Sequence, residues 1–155
     1  VQSLISNSHW GYDVEDNAYA LMLTADGVVG MLNSSATQWR HRFYLEINLE
    51  RGSVILGGIL TDSKSYGAET LTVAYVDHDT GNGDPKEQVT RYNRDPSWEM
   101  EINQFVDCIL RGTPIEHGTS KDAFNTMKLV TQIYYADPIW RNQFQIPNPE
   151  DIACE

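Results

Sequence analysis

Apolar and polar residues alternate along the first two thirds of the chain, which is the period of β-strands. Such strand segments are predicted at residues 3–8, 16–25, 28–35, 43–50, 53–56, 70–76 and 87–92. Asp26-Gly27 and Arg51-Gly52 each stand between two of these segments. Because glycine accepts a positive φ in tight turns, the two dipeptides predict antiparallel hairpins.

In the last third of the chain the apolar period becomes that of an α-helix. Asp95-Pro96 predicts a helix start, because Asp accepts hydrogen bonds at an N-cap and Pro suits the first turn. This helix ends at Arg111, and its apolar stripe consists of Trp98, Ile102, Phe105 and Ile109. A second helix is predicted over residues 119–136, where Asp137-Pro138 stops it. Residues 141–155 are predicted to form an extended tail.

Strands that come first in hairpins, followed by helices, predict the α+β class. We expect an open-faced, mainly antiparallel β-sheet with two C-terminal helices packed on one face. The segment 16–25 carries apolar residues on both of its sides: Ala18, Ala20 and Met22 on one, Tyr19, Leu21 and Leu23 on the other. A sheet with one solvated face alternates more strictly, so the face opposite the helices is expected to need a partner.

The composition of 41% hydrophobic and 21% charged residues is that of a globular protein, and the length of 155 residues favours one domain. The net charge is −11, and no basic cluster exists beyond Arg40-His41-Arg42, which argues against nucleic-acid or membrane partners. Cys108 and Cys154 give no disulfide framework. This cysteine usage suits a reducing cytosol and predicts a cytoplasmic protein.

Motifs for metal, cofactor or nucleophile chemistry are missing from the sequence. The acidic segment 77–84 departs from a calcium loop at Gly81, Asn82 and Gln88, so we expect a solvated hairpin loop there. The four histidines do not show metal-ligand spacing. Neither a G-x-S-x-G elbow nor a glycine-rich dinucleotide motif occurs, so no catalytic, metal-binding or cofactor-binding residue is predicted.

Two aromatic clusters at predicted strand ends are candidates for substrate binding. Their members are His9, Trp10, Tyr12, Gln38, Trp39, Arg40 and His41. Aromatic rings beside hydrogen-bond donors in loops are typical of a sugar site. The alternative is that Trp10 and Trp39 pack over the edge of the sheet while the basic residues are solvated.

Several segments, in their order and spacing, resemble the C-terminal domain of the Gfo/Idh/MocA oxidoreductases, the glucose–fructose oxidoreductase and inositol dehydrogenase family. The first three read VEDNA at 14–18, LTADGVVGML at 23–32 and LEINLERGSV at 45–54. In the helical part, FVDCILRGTP at 105–114 and the helix over 119–135 resemble the family's closing segments. The resemblance covers roughly residues 14–137, most of the chain.

The resemblance implies a definite function. Family members join an N-terminal Rossmann domain, which binds NAD or NADP, to a sheet domain that supplies part of the substrate pocket and the subunit interface. They transfer a hydride between the nicotinamide and a sugar, polyol or related hydroxyl compound. Residues 1–140 would then be the substrate-side and oligomerisation domain of a homo-oligomer. The Rossmann domain and its cofactor would lie outside this chain, which begins with Val1 and is expected to be a piece of a longer protein.

The family's catalytic residues have no counterparts in this chain. The Glu-Lys-Pro turn of its catalytic Lys is absent, and Pro85-Lys86-Glu87 has a different order in a different place. Its Asp-x-x-x-His motif is absent too, because no Asp stands four residues before any histidine. We therefore expect the isolated segment to be inactive. The alternative function is a stand-alone, non-catalytic binding or interaction module with the same sheet fold.

Overall fold

The computed structural model describes residues 1–60, 66–76 and 85–152. The strands of this part are β1 (Gln2–Ser6), β2 (Asn17–Leu23), β3 (Val29–Ser35), β4 (Tyr44–Leu49), β5 (Gly52–Gly57), β6 (Glu69–Tyr75) and β7 (Glu87–Tyr92). The helices are α1 (Ser97–Arg111), α2 (Ser120–Ala136) and α3 (Pro138–Phe144), followed by a 3-10 turn at Pro149–Asp151. The predicted loop at 77–84, with His78, and Cys154 lie outside the described residues. None of the helices in the described ranges is both long enough and apolar enough to cross a bilayer.

The strands form two open antiparallel sheets, in the orders β1-β2-β3 and β4-β5-β6-β7. The predicted α+β class is therefore confirmed. The chain divides into two compact units, Val1–Gln38 together with the residues from Arg111 onward, and Trp39–Leu110. A single domain was expected from the length. The sequence did not indicate the division, because turn patterns predict strand pairing only within a hairpin. Residues 36–43, which connect β3 to β4, form no tight turn that would pair these two strands.

Both predicted hairpins are confirmed. In the first, Gly27 adopts a φ of 90° in the turn between β2 and β3. In the second, Gly52 opens β5 opposite Leu49. A Cβ atom on Gly52 would lie 2.0 Å from the carbonyl oxygen of Ala74 on β6, so this position has no room for a side chain.

The core of the first unit contains Ala18 and Ala20 on β2, Ile133 on α2 and Trp140 on α3, all buried. Helix α2 contacts both β1 and α3. Ser3 on β1 fixes the first contact, because its hydroxyl donates to the carbonyl oxygen of Ile133 at 2.6 Å. The expected helix on a sheet face is thus seen for α2 in this unit.

Asp137 ends α2, as predicted, and at the same residue begins α3. Its carboxylate accepts the backbone N–H groups of Ile139 and Trp140, both at 2.9 Å, and also that of Ile5 on β1, at 2.8 Å. The predicted extended tail over 141–155 is corrected here, since residues 141–144 belong to α3. An Asp followed by Pro stops one helix, but it is also the N-cap and first-turn signal of another.

The predicted N-terminus of α2 is confirmed by a capping box. The Thr119 hydroxyl accepts from the Asp122 N–H at 3.2 Å, and the Asp122 carboxylate accepts from the Thr119 N–H at 2.9 Å. In the second unit, α1 begins where Asp95 accepts from the Ser97 N–H at 2.9 Å. The apolar stripe predicted on α1 is exposed along its whole length, and α1 has no buried residue.

Candidate ligand-binding site

A cavity of about 310 Å³ lies in the first unit, beside the loop that joins β1 to β2. Its lining residues are Trp10, Tyr12, Val14, Glu15, Asp16 and Ala36. This volume falls within the range of roughly 300–1,000 Å³ that is usual for small-molecule sites. The cavity is therefore large enough for a ligand of a few carbon atoms or a single sugar ring.

The loop keeps its shape through hydrogen bonds between its own residues. The Gly11 N–H donates to the carbonyl oxygen of Asn7 at 2.9 Å, and the Asn7 amide donates to the carbonyl oxygen of Tyr12. Gly11 has a φ of 70°, which a residue with a side chain rarely adopts. The turn projects Trp10, whose ring meets that of His9 edge to face at 4.7 Å.

Asp16 anchors this loop from inside the protein, with only 4% of its surface exposed. Its carboxylate accepts from the His9 N–H at 2.7 Å, the Asn17 amide at 2.8 Å and the Ser6 hydroxyl at 3.2 Å. Burial alone would raise the pKa of Asp16, but these hydrogen bonds outweigh it and the pKa is lowered. The Asp16 backbone carbonyl also accepts from the Ala36 N–H, at 2.8 Å, so Asp16 connects two parts of the cavity wall through its main chain.

Glu15 connects the cavity to α2. The Tyr134 hydroxyl donates to a carboxylate oxygen of Glu15 at 2.7 Å. Burial and this negatively charged acceptor together raise the pKa of Tyr134 to about 12. Tyr134 therefore stays protonated at neutral pH and keeps Glu15 at the wall of the cavity.

The candidates predicted around residue 10 are brought together by the structure. Trp10 and Tyr12 both line the cavity, while His9 contributes its ring to Trp10 and its N–H group to Asp16. Trp10 is 47% exposed and Tyr12 is 64% exposed, so a ligand can reach both rings.

The second predicted cluster is divided between the two units. Gln38 belongs to the first unit, whereas Trp39, Arg40 and His41 belong to the second. Trp39 is fully exposed, so the alternative in which it packs over a sheet edge is wrong for this residue. The His41 ring lies 5.1 Å from the ring of Tyr66. These residues are available to a ligand, but they do not line the cavity.

The sequence analysis missed part of the lining: Val14, Glu15, Asp16 and Ala36. Residues 14–16 belong to a segment that carries the family resemblance, which could have directed attention to them. An Asp directly before a strand also indicates an acceptor for loop N–H groups. Nothing in the sequence near Ala36 indicates that it meets this loop.

The carboxylates of Glu15 and Asp16 have no basic partner within the part of the chain that the structure describes. Ion pairs in that part of the chain include Arg94–Glu99 at 3.2 Å and Lys128–Glu150 at 3.9 Å, neither of which involves the cavity. Among the same residues, no group of acidic, histidine or cysteine side chains is arranged to hold a metal ion. The site therefore has mainly carbon walls that include two aromatic residues, and the carboxylates of Asp16 and Glu15 are held by hydrogen bonds.

Comparison of the chain with protein-family models, curated proteins and solved structures gives no match. The fold and the site define an α+β protein with two open antiparallel sheets and an aromatic-lined cavity in the first unit.

Proposed function

We propose that this chain is the substrate-binding and oligomerisation domain of an NAD(P)-dependent oxidoreductase that acts on a sugar, a polyol or a related hydroxyl compound. The observation that carries the proposal is the ordered set of segments that resembles the Gfo/Idh/MocA C-terminal domain. The fold is compatible with it, since residues 23–32 span the β2–β3 hairpin and residues 45–54 span the β4–β5 hairpin. In this proposal NAD or NADP binds to a Rossmann domain outside the chain.

The cavity supplies the substrate side of the proposal. Exposed Trp10 and Tyr12 can stack on the apolar face of a sugar ring, and the rigid loop fixed by Asp16 keeps them in place. We also expect Trp39 or Arg40 to contact the substrate in the parent enzyme. We place the protein in the cytoplasm because its two cysteines give no disulfide framework.

Oligomerisation is proposed to use one face of the β1–β3 sheet, which we call the open face. Strand register puts its apolar residues on one side, where all are exposed: Leu4, Tyr19, Leu21, Leu23, Val29 and Met31. An apolar patch of this kind is uncommon on a monomer. A two-fold dimer that uses the same face of both copies is the commonest way to cover it.

Calorimetric titration with NADH and NADPH tests whether the cofactor binds outside residues 1–155. We expect no heat of binding for residues 1–155, because the sequence lacks every dinucleotide motif. A longer polypeptide that includes the coding region upstream of Val1 is expected to bind with micromolar affinity. Micromolar binding to residues 1–155 alone would contradict the proposal. If the longer polypeptide does not bind either, the stand-alone binding module becomes the better account.

A further inference from the structure

We propose that the substrate carries a hydrocarbon group, either aryl or alkyl, and that this group enters the cavity beside Trp10. The inference rests on the proposed function, because it takes this cavity as the binding site of a sugar, a polyol or a related hydroxyl compound. It goes further by stating which part of that compound the cavity holds. The hydroxyl groups, including the one that is oxidised, remain outside the cavity.

The walls of the cavity present almost nothing but carbon. Trp10, Tyr12, Val14 and Ala36 line it, and oxygen and nitrogen atoms make up hardly any of its surface. A hydrocarbon group that enters such a space loses contact with water, which is favourable in proportion to the apolar area removed. The wall has few polar atoms that would have to give up hydration when the group binds.

The two acidic residues of the lining do not alter this character. Both carboxylate oxygens of Asp16 accept hydrogen bonds from protein groups, among them the His9 N–H at 2.7 Å. An oxygen of the Glu15 carboxylate accepts from the Tyr134 hydroxyl at 2.7 Å. Since the cavity surface is nearly free of oxygen, these residues contribute mainly carbon to it.

The size of the cavity agrees with a hydrocarbon group that is attached to a sugar or polyol. A carbon-lined cavity of about 150 Å³ is enough for a benzene ring, and this one measures about 310 Å³. The rings of Trp10 and Tyr12 also remain 47% and 64% exposed, so the C–H face of a sugar can lie against them. One compound can therefore place its hydrocarbon group in the cavity and keep its hydroxyl groups hydrated.

Ligand-observed NMR titration of the full chain tests the inference with two probes, phenyl β-glucoside and methyl β-glucoside. The probes have the same sugar ring and differ only in the hydrocarbon group. We expect phenyl β-glucoside to bind roughly tenfold more tightly, because its larger group buries about 60 Å² more apolar surface. Equal affinities, tighter binding of methyl β-glucoside, or no saturable binding of either probe would overturn the inference.

Two substitutions in the cavity wall locate the effect. Trp10→Ala removes the largest ring and should reduce the preference for the phenyl group to about twofold or less. Val14→Thr keeps the volume of the side chain but puts a hydroxyl group into the carbon wall, and it should reduce the preference about two- to threefold. Trp10 and Val14 are 47% and 58% exposed, so neither substitution touches the buried core.

Two control variants change exposed apolar residues away from the cavity. These are Trp98→Ala on α1 and Leu21→Lys on the open face, and both should preserve the preference for the phenyl group. A preference that survives Trp10→Ala, or that is lost in either control, would place the phenyl group elsewhere and overturn the inference.

Failure of this inference can be distinguished from failure of the proposed function. The glucosides are titrated without a nucleotide, whereas the proposed function is tested by NADH and NADPH with the longer polypeptide. Equal binding of the two glucosides overturns the inference and leaves the proposed oxidoreductase unaffected. A preference for the phenyl group, in a protein whose longer form binds no nucleotide, supports a cavity for hydrocarbon groups in a stand-alone binding module.

Discussion

Leu21→Lys on the open face should dissociate the proposed dimer. Leu21 lies at the centre of that face, on the middle strand β2, directly opposite Met31 on β3. It is 51% exposed in the isolated chain, so about half of its side chain remains to be covered by a second copy. The substitution introduces a charge at the position that a two-fold interface would bury most completely from solvent.

The size of the effect follows from this exposure. Burying a whole leucine side chain stabilises by roughly 1.5–3 kcal/mol, so the uncovered half of Leu21 contributes about 0.8–1.5 kcal/mol. A two-fold dimer contains the residue twice, which gives about 1.5–3 kcal/mol and a roughly 10- to 100-fold weaker dissociation constant. The net charge of −11 on each chain opposes association, but salt screens it beyond about 8 Å at physiological ionic strength.

Sedimentation equilibrium at micromolar protein measures the change. The unmodified chain should sediment as a species heavier than its monomer mass of 17.6 kDa, and Leu21→Lys should shift it toward that mass. Ile139→Lys is the matched control, because Ile139 is 79% exposed in the same unit but lies on α3. A monomer for the unmodified chain, or equal weakening by both variants, would refute the proposed interface.

Further expectations concern stability and substrate contact. Gly52→Ala should lower the free energy of unfolding by about 1–3 kcal/mol in a urea titration, because its Cβ has no room. Gly30→Ala is the control, because a Cβ added to this strand residue would make only ordinary contacts; it should change the free energy of unfolding little. Because the pKa of Asp16 is lowered in the folded protein, its ionised carboxylate contributes fully to stability at neutral pH. This contribution is lost as the pH falls below about 4 and the carboxylate becomes protonated. Melting temperatures of Asp16→Asn should therefore be lower at pH 7 and converge with those of the unmodified protein in acid; a constant difference would contradict this. In the parent enzyme, alanine at both Trp39 and Arg40 should raise KM or lower kcat, and unchanged kinetics across a panel of sugars and polyols would count against their role.

Local signals predicted most of the secondary structure. Asp26-Gly27 and Arg51-Gly52 gave the hairpins because turn conformation depends on a few adjacent residues. The start of α2, predicted at residue 119, is also fixed locally, because the structure shows a Thr119 capping box that closes within one turn. Helix α3 was missed because Asp137-Pro138 was interpreted only as a stop.

Features that depend on distant residues could not be predicted in this way. The division of the strands into two sheets depends on which hairpins pair with each other, and no local sequence pattern predicts this pairing. The cavity was only half anticipated: Trp10 and Tyr12 are conspicuous in the sequence, but Asp16 and Ala36 become wall residues through hydrogen bonds across the fold. Period-2 alternation placed Leu21 and Ala20 on opposite faces of β2, but it did not predict that Leu21 is the exposed one and Ala20 the buried one.

The most direct measurement of the central claim is turnover by the polypeptide that includes the region upstream of Val1. It should be mixed with NAD or NADP and a panel of sugars, polyols and related hydroxyl compounds, and formation of the reduced nicotinamide should be followed by its absorbance. The account predicts reduction of one cofactor with at least one hydroxyl substrate, together with a raised KM in the Trp10→Leu variant. Absence of cofactor reduction with every substrate, in a polypeptide that is folded and binds neither nucleotide, would contradict it.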